Sequence, residues 1–196
     1  MEKEELAPVA ELFPPQGQWT EADYFALPET NRLLELSEGR LIVHSPPTLG
    51  HQEALKHLFI RLNEFVEKNG LGVVELAPLP VRLWPGKIRE PDIFFISREH
   101  LERLGEKVCG VPDLVVEITS PATRDADRRE KFGEYAQAGV QEYWIVDPER
   151  KTIEVFVLRG RAFETFGLFH QGEIARSALL AGFAVAVDEI FLGIEA

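Results

Sequence analysis

The sequence predicts an α/β fold, in which a mixed β-sheet is flanked by helices in the α+β manner. Two observations support this prediction. A segment with helical periodicity is followed by a run of short apolar segments, and a second helical segment is followed by more of them. This order of helix, strands, helix and strands is typical of a mixed sheet with helices packed on its faces.

Length and composition indicate one domain. The chain has 196 residues, 45% of them hydrophobic, which is enough for one substantial core, and no low-complexity linker divides it. Residues 1–17 contain three prolines and no apolar periodicity. We therefore expect a loosely held N-terminal arm at residues 1–17 and a single domain at residues 18–196.

A short helix and a hairpin open the predicted domain. Thr20 has the position of a helix N-cap, and Pro28 ends the short helix that follows it. Residues 32–36 and 40–44 are predicted to be the two strands of a hairpin, with Gly39 in the turn.

Two longer helices are predicted beyond the hairpin. The first spans residues 51–69, where apolar residues recur at three- and four-residue spacings, and Gly70 is its predicted C-cap. The second spans residues 124–138 and ends at Gly139. Short apolar runs separated by turn residues predict the remaining strands. These runs are residues 72–76, 80–84, 88–97, 113–121, 142–146, 152–158 and 161–166, with a short helix at residues 98–104.

The formal net charge of −12 limits the partners of the chain. Nonspecific affinity for nucleic acid comes from cationic side chains that replace the counterions around phosphates, so a uniformly basic binding surface is excluded. A local basic groove, or a metal ion that offsets the carboxylates, stays open. No apolar run is long enough to span a bilayer, and the N-terminus lacks signal-peptide features, so we expect a cytoplasmic protein with no membrane partner.

Glu117 lies in the middle of a strongly apolar segment. Because side chains alternate along a strand, Leu114, Val116 and Ile118 share one face, and Glu117 shares the other with Thr119. An ionised carboxylate is costly to bury unless a cation, a metal ion or several hydrogen-bond donors meet it. The sequence therefore predicts a partner for Glu117.

A second carboxylate meets the same predicted sheet at Asp92. Pro91 favours an extended conformation before it, so Asp92 stands at the head of an apolar strand. Mg²⁺ is bound in proteins by one or two carboxylates and keeps several waters, and it promotes phosphodiester hydrolysis by polarising a phosphoryl oxygen. The same residues also allow a purely structural arrangement, in which Asp92 caps a turn and Glu117 pairs with Lys131 or Arg128.

The helix after Glu117 carries three cationic residues and a tyrosine on one face. Their spacings are four, three and four, at Arg124, Arg128, Lys131 and Tyr135. We expect Lys131 to reach Glu117. A lysine beside a metal ion can orient the attacking water or offset developing charge. Tyr135 either hydrogen-bonds to the site or only directs its hydroxyl out of an apolar contact.

Several segments, in order along the chain, resemble the Uma family of restriction endonucleases. The resemblance covers roughly residues 20 to 190. The segments that carry it are residues 32–43, His51 at the start of a helix, Pro91-Asp92, residues 116–124, Asp127, Lys131, Tyr135, Gly139-Val140 and residues 142–148.

This resemblance implies the restriction-endonuclease-like fold, whose PD-(D/E)XK site uses two acidic residues as ligands of Mg²⁺ or Mn²⁺. Carried over to this chain, they are Asp92 and Glu117. The lysine expected two residues after the second acid is Thr119 here, so Lys131 on the next helix is the substitute. Glu53, near the start of the first long helix, resembles an additional acid that occurs in this superfamily. The resemblance also implies DNA as a partner and a homodimer.

Two functions of different classes stay open. The first is Mg²⁺-dependent hydrolysis of phosphodiester bonds, with Asp92 and Glu117 on the metal and Lys131 assisting the attacking water; nucleic acid is its first substrate, and a non-nucleic phosphoester is another. The second is a non-catalytic binding or assembly module that uses Glu117 and Lys131 as a structural ion pair. The ordered acids and lysine favour the first function, and Thr119 and the acidic charge favour the second.

Overall fold

The computed structural model describes residues 13–28, 32–120 and 127–193. Its α-helices are α1 (Glu21–Phe25), α2 (Leu49–Asn69), α3 (Phe132–Ala138) and α4 (Val187–Ile190). A 3-10 helix spans Arg98–Arg103, and a π-helical turn at Asp127–Lys131 leads into α3. The strands are β1 (Leu34–Ser37), β2 (Arg40–Val43), β3 (Gly72–Leu76), β4 (Val81–Trp84), β5 (Lys87–Arg89), β6 (Ile93–Ser97), β7 (Leu114–Ile118), β8 (Glu142–Asp147), β9 (Thr152–Arg159), β10 (Ala162–Phe169), β11 (Ile174–Arg176) and β12 (Ala184–Ala186).

The larger sheet has six strands in the order β10-β9-β8-β7-β6-β3. β7 and β8 are parallel, and the other neighbours are antiparallel. One face packs against α2 and α4 through a cluster that includes Leu58, Leu62 and Val116. The opposite face packs against α3 through a second cluster that includes Val115 and Tyr135. The prediction of a mixed sheet flanked by helices is confirmed.

The smaller sheet has the order β2-β1-β5-β4 and covers a third apolar cluster. The β1–β2 hairpin turns at Glu38 and Gly39, whose φ angles of 51° and 69° are both left-handed. Two left-handed central residues are the hallmark of the tight turn that matches the twist of a hairpin. At Gly39 a Cβ atom would lie 2.6 Å from the carbonyl oxygen of Gly17, so both the turn and the close approach require glycine.

The predicted helix caps are confirmed. Thr20 and Asp23 form a reciprocal capping box at the start of α1. At the end of α2, Gly70 adopts a left-handed conformation with φ 62°, and its N–H bonds back to the last turn. Helix α2 begins two residues earlier than predicted, with Thr48 as its N-cap.

The single strand predicted at residues 88–97 is wrong, because the chain changes sheets within it. β5 belongs to the smaller sheet and β6 to the larger one. Pro91, between them, has no N–H to donate and cannot continue a ladder of strand hydrogen bonds. Asp92 consequently lies at the junction of the two sheets.

The second long helix differs from its prediction. Residues 121–126, including Arg124, lie outside the described part, residues 127–131 are π-helical, and α-helical geometry begins only at Phe132. The sequence prediction also missed the small sheet formed by β11 and β12. Residues 1–12 lie outside the described part as well, so the division at residue 17 stays a prediction. Among the described residues, no helix is both long and apolar enough to cross a membrane.

Candidate active site

Glu117 is buried in the larger sheet, with only 3% of the residue exposed. The hydroxyl of Tyr135 donates a hydrogen bond of 2.6 Å to Glu117 Oε1. Lys131 Nζ lies 3.0 Å from Glu117 Oε2. The predicted contact between Lys131 and Glu117 is confirmed, and the cation and the hydroxyl together meet the requirement that burial places on this carboxylate.

Asp92 is held next to Glu117 through the backbone. Asp92 Oδ2 accepts a hydrogen bond of 2.7 Å from the N–H of Ile118, the residue that follows Glu117. His51 Nε2 lies 3.1 Å from Asp92 Oδ1. His51 comes from the first turn of α2, where Thr48 Oγ1 accepts a hydrogen bond from its backbone N–H. His51 therefore belongs to the capped first turn of α2 and also contacts the site.

Asp92 and Glu117 line one cavity of about 410 Å³ at the junction of the two sheets. Lys131 and His51 line it as well, so its inner wall combines two carboxylates, an amine and an imidazole. The cavity thus brings together Asp92, Glu117 and Lys131, three of the residues that the sequence assigned to a metal-dependent site. Leu33, Val43, Pro46 and Pro47 add apolar side chains to its lining.

Tyr135 is fully buried, and its hydroxyl is a hydrogen-bond donor to the site. Burial raises its pKa well above the usual value, and the charges of Glu117 and Glu35 raise it further. Tyr135 therefore keeps its hydroxyl proton at neutral pH. The sequence left open whether the Tyr135 hydroxyl bonds to the site or points out of an apolar contact. In the structure it bonds to Glu117.

Glu35 also lines the cavity, and sequence reasoning missed it. Glu35 Oε1 lies 3.3 Å from Lys131 Nζ, and Oε2 lies 2.7 Å from Arg89 Nη1 and 2.9 Å from His44 Nε2. Burial alone would raise the pKa of Glu35, but the charges of Lys131, His44 and Arg89 outweigh it and hold that pKa well below its usual range. A signal was present: Glu35 lies between two leucines of a predicted strand, as Glu117 lies between valine and isoleucine.

Glu90 is a further buried acid of the cavity wall, and its environment has the opposite effect. Burial raises the pKa of Glu90 to about 7. The hydroxyl of Tyr24 lies 2.9 Å from both Leu34 O and Glu90 Oε1. A hydroxyl has one proton and a carbonyl can only accept, so both bonds form when Glu90 carries a proton of its own. Glu35 and Glu90 thus line one cavity with pKa values moved in opposite directions.

Arg128 does not share the face of Lys131, contrary to the prediction. Arg128 forms an ion pair with Glu154 of β9, away from the cavity. The prediction assumed α-helical spacing, but the π-helical turn at Asp127–Lys131 inserts one more residue per turn and rotates Arg128 relative to Lys131. Arg124 lies outside the described part of the chain.

Glu53 and Thr119 do not line the cavity. The carboxylate of Glu53 lies 2.5 Å from Lys56 Nζ and 3.8 Å from His57 Nε2 on the surface of α2. Thr119 is 3% exposed, and among the described residues its hydroxyl has no hydrogen-bond partner. Within residues 13–28, 32–120 and 127–193, no group of three or more His, Cys, Asp or Glu side chains is arranged to hold a metal ion.

Known proteins resemble this chain in sequence and in fold. A family model described as "Putative restriction endonuclease", named Uma2, matches residues 21–188. The chain belongs to the Uma2 family. A crystal structure of a "putative nuclease belonging to DUF820" from Anabaena variabilis is similar to this Uma2 protein, with a TM-score of 0.74 and 20% sequence identity, over 90% of this chain and 99% of the other. At that identity the likeness shows the fold alone. No curated protein matches the chain.

Proposed function

We propose that this Uma2 protein hydrolyses phosphodiester bonds of nucleic acid in a reaction that depends on Mg²⁺ or Mn²⁺. One observation carries the proposal: Asp92 and Glu117 line the same cavity, with Lys131 Nζ 3.0 Å from Glu117. Membership of a family described as "Putative restriction endonuclease" supports it, because restriction endonucleases generally use divalent metal ions.

The donor set fits the metal. Asp92 and Glu117 would hold the ion, because Mg²⁺ prefers carboxylate oxygens and takes one or two of them while keeping several waters. When bound, the ion supplies Lewis-acid polarisation of the phosphoryl oxygen and a more acidic bound water. The three donors of the Lys131 ammonium would offset negative charge that develops on the phosphate and orient the attacking water.

Two buried groups keep the carboxylates in place. Tyr135 holds Glu117 through a hydroxyl that stays protonated, so its contribution is orientation rather than proton transfer. The N–H of Ile118 holds Asp92 from the backbone. Fixed side chains of this kind reduce the reorganisation needed during the reaction.

The proposal is tested by metal binding and activity in parallel. A crystal soaked in Mn²⁺ is expected to show anomalous density between Asp92 and Glu117, and DNA and RNA substrates are expected to be cleaved with Mg²⁺ but not with EDTA. Asp92→Asn should abolish both signals. The control is Asp188→Asn, which changes an exposed carboxylate that accepts a hydrogen bond from the N–H of Gly172. It should change neither the anomalous density nor the cleavage. Cleavage that survives Asp92→Asn would contradict the proposal.

A non-catalytic binding or assembly module is the second candidate. Each carboxylate oxygen of Asp92 and Glu117 already has a protein nitrogen or hydroxyl within 3.1 Å. Thr119 also stands where a lysine is expected, and it supplies no charge. Calorimetry separates the two functions: Mn²⁺ binding that disappears in Glu117→Gln counts against a purely structural cluster. The homodimer stays a prediction, which light scattering tests.

A further inference from the structure

We propose that Glu35 is the positioning residue for Lys131, an anionic anchor on β1 that holds the lysine ammonium beside Glu117. The catalytic consequence rests on the proposed function, whereas the positioning itself is a property of the metal-free protein. Glu35 touches neither Asp92 nor Glu117 in the described contacts and acts through Lys131.

Lys131 Nζ lies between two carboxylates. It is 3.0 Å from Glu117 Oε2 and 3.3 Å from Glu35 Oε1. All three residues are buried, with 4% of Lys131, 3% of Glu117 and 1% of Glu35 exposed. In such surroundings an ion pair is screened little by solvent, so its geometry is maintained more strictly than at a surface.

Glu35 is itself fixed on several sides. Arg89 Nη1 and His44 Nε2 meet Oε2, and the backbone N–H of Glu90 donates to Oε1 at 3.3 Å. Arg89 in turn donates from Nε to Glu134 Oε2 at 2.7 Å. Glu134 lies on α3, three residues after Lys131. The charges therefore alternate from buried Glu117 through buried Lys131, Glu35 and Arg89 to partly buried Glu134.

The ammonium of Lys131 needs an anchor because it is far from the backbone that fixes it. Lys131 reaches the site on a flexible four-carbon stem, whose rotamers cost up to about 2 kcal/mol of entropy to order. Glu35 supplies a second acceptor that selects the rotamer directed at Glu117.

A purely structural role for Glu35 would be to fasten the smaller sheet to α3. Lys87 offers a matched control for that role, because it is 2% exposed and joins β5 to Glu134 of α3 at 2.7 Å. Lys87 contacts Ser37 and Glu38 as well, but neither Glu35 nor Lys131 in the described contacts. Lys87→Met therefore weakens the same junction without removing the anchor of Lys131.

The first test is a double-mutant cycle in kcat with Glu35→Gln, Lys131→Met and both changes together. Glu35→Gln is expected to lower kcat about a hundredfold, as a small displacement of a catalytic group does. In the Lys131→Met background the same change should lower kcat less than about twofold, because the residue through which it acts is gone. Equal losses in both backgrounds, or an equal loss in Lys87→Met, would overturn the proposal.

The second test needs neither metal nor activity. In metal-free protein, the rate at which an amine-specific reagent modifies Lys131 is followed by mass spectrometry. Glu35→Gln should raise that rate at least about tenfold, since the negative charge that faces the ammonium is lost, and Lys87→Met should leave it near the wild-type value. An unchanged rate in Glu35→Gln would refute the anchor. If the wild-type protein cleaves no nucleic acid, the proposed function fails and this measurement alone decides on Glu35.

Discussion

The two ends of β7 each carry a buried carboxylate, and they are held differently. Asp113, just before the strand, is 1% exposed; it accepts from the N–H of Ser97 at 2.8 Å and from Gln141 Nε2 at 3.1 Å, and lies 2.7 Å from His100 Nδ1. Glu117, near the other end, is 3% exposed and is met by a lysine and a tyrosine.

The difference lies in access rather than in burial. Asp113 is surrounded by donors that join the 3-10 helix and neighbouring loops to the sheet, and it does not line the cavity. Glu117 lines the cavity together with Asp92. Burial of a carboxylate therefore shows only that the group needs partners. What distinguishes Glu117 from the structural carboxylate Asp113 is that it lines a cavity together with a second carboxylate.

The largest expected effect is on activity. Glu117→Gln should lower kcat by about a hundredfold to a thousandfold, because a neutral amide binds a divalent cation poorly and no longer offsets its charge. Asp113→Asn should change kcat less than about twofold. Single-turnover cleavage of a labelled oligonucleotide measures both variants, and a comparable loss in Asp113→Asn would remove the distinction between the two ends.

Stability should respond in the opposite order. Asp113→Asn places an amide NH₂ among groups that donate hydrogen bonds, so at least one partly buried donor loses its acceptor, at a cost of about 2 kcal/mol. Glu117→Gln should cost about 1 kcal/mol, because its carbonyl oxygen can still accept from Tyr135 and Lys131 keeps Glu35. Urea unfolding without metal measures both, and a larger loss in Glu117→Gln would mean that Glu117 is the structural residue.

Local periodicity was sufficient to predict that Glu117 is buried near the end of β7 and needs a charged or hydrogen-bonding partner. The alternation along β7 gave the burial of Glu117, and the order of strand and helix placed Lys131 near it. The contact of His51 with Asp92 and the role of Glu35 depend on how the smaller sheet packs against α2 and α3. Such packing is decided by the whole fold, so no local pattern contains it.

Regular helical spacing failed where the helix is irregular. The expected face that joins Arg128 to Lys131 assumes 3.6 residues per turn, whereas the π-helical turn at Asp127–Lys131 has a wider spacing. Pro91 marked the junction between the sheets, but the prediction treated residues 88–97 as continuous. Both errors concern a local break in geometry close to the cavity.

A pH effect should distinguish Glu90 from the other acids of the cavity. Its pKa is about 7 in the folded protein, above the usual 4.5 of an unfolded chain. The folded state therefore binds more protons between these values, and stability falls as the pH rises through this window. Glu90→Gln mimics the protonated form, with its NH₂ towards Tyr24 and its oxygen towards the N–H of Leu34.

Relative to wild type, Glu90→Gln should be nearly neutral at pH 4.5 and more stable by about 2 kcal/mol at pH 8, less than the full shift implies because the group borders the cavity. Urea unfolding in EDTA across this pH range checks the sign. A variant less stable than wild type at pH 8 would show that Glu90 is ionised there at no cost.

The smallest effect is expected at Glu53, an acid near the site in sequence but outside the cavity wall. Its partners are Lys56 and His57 on the same helix, and exposed ion pairs of this kind contribute little to stability. Glu53→Gln should therefore leave the thermal midpoint unchanged and alter kcat less than about twofold. Cleavage assays with Glu53→Gln beside Glu117→Gln measure this. A large loss of kcat in Glu53→Gln would show that the side chain turns towards the cavity when substrate or metal binds. The residues that line the cavity in the free protein would then be only part of the active site.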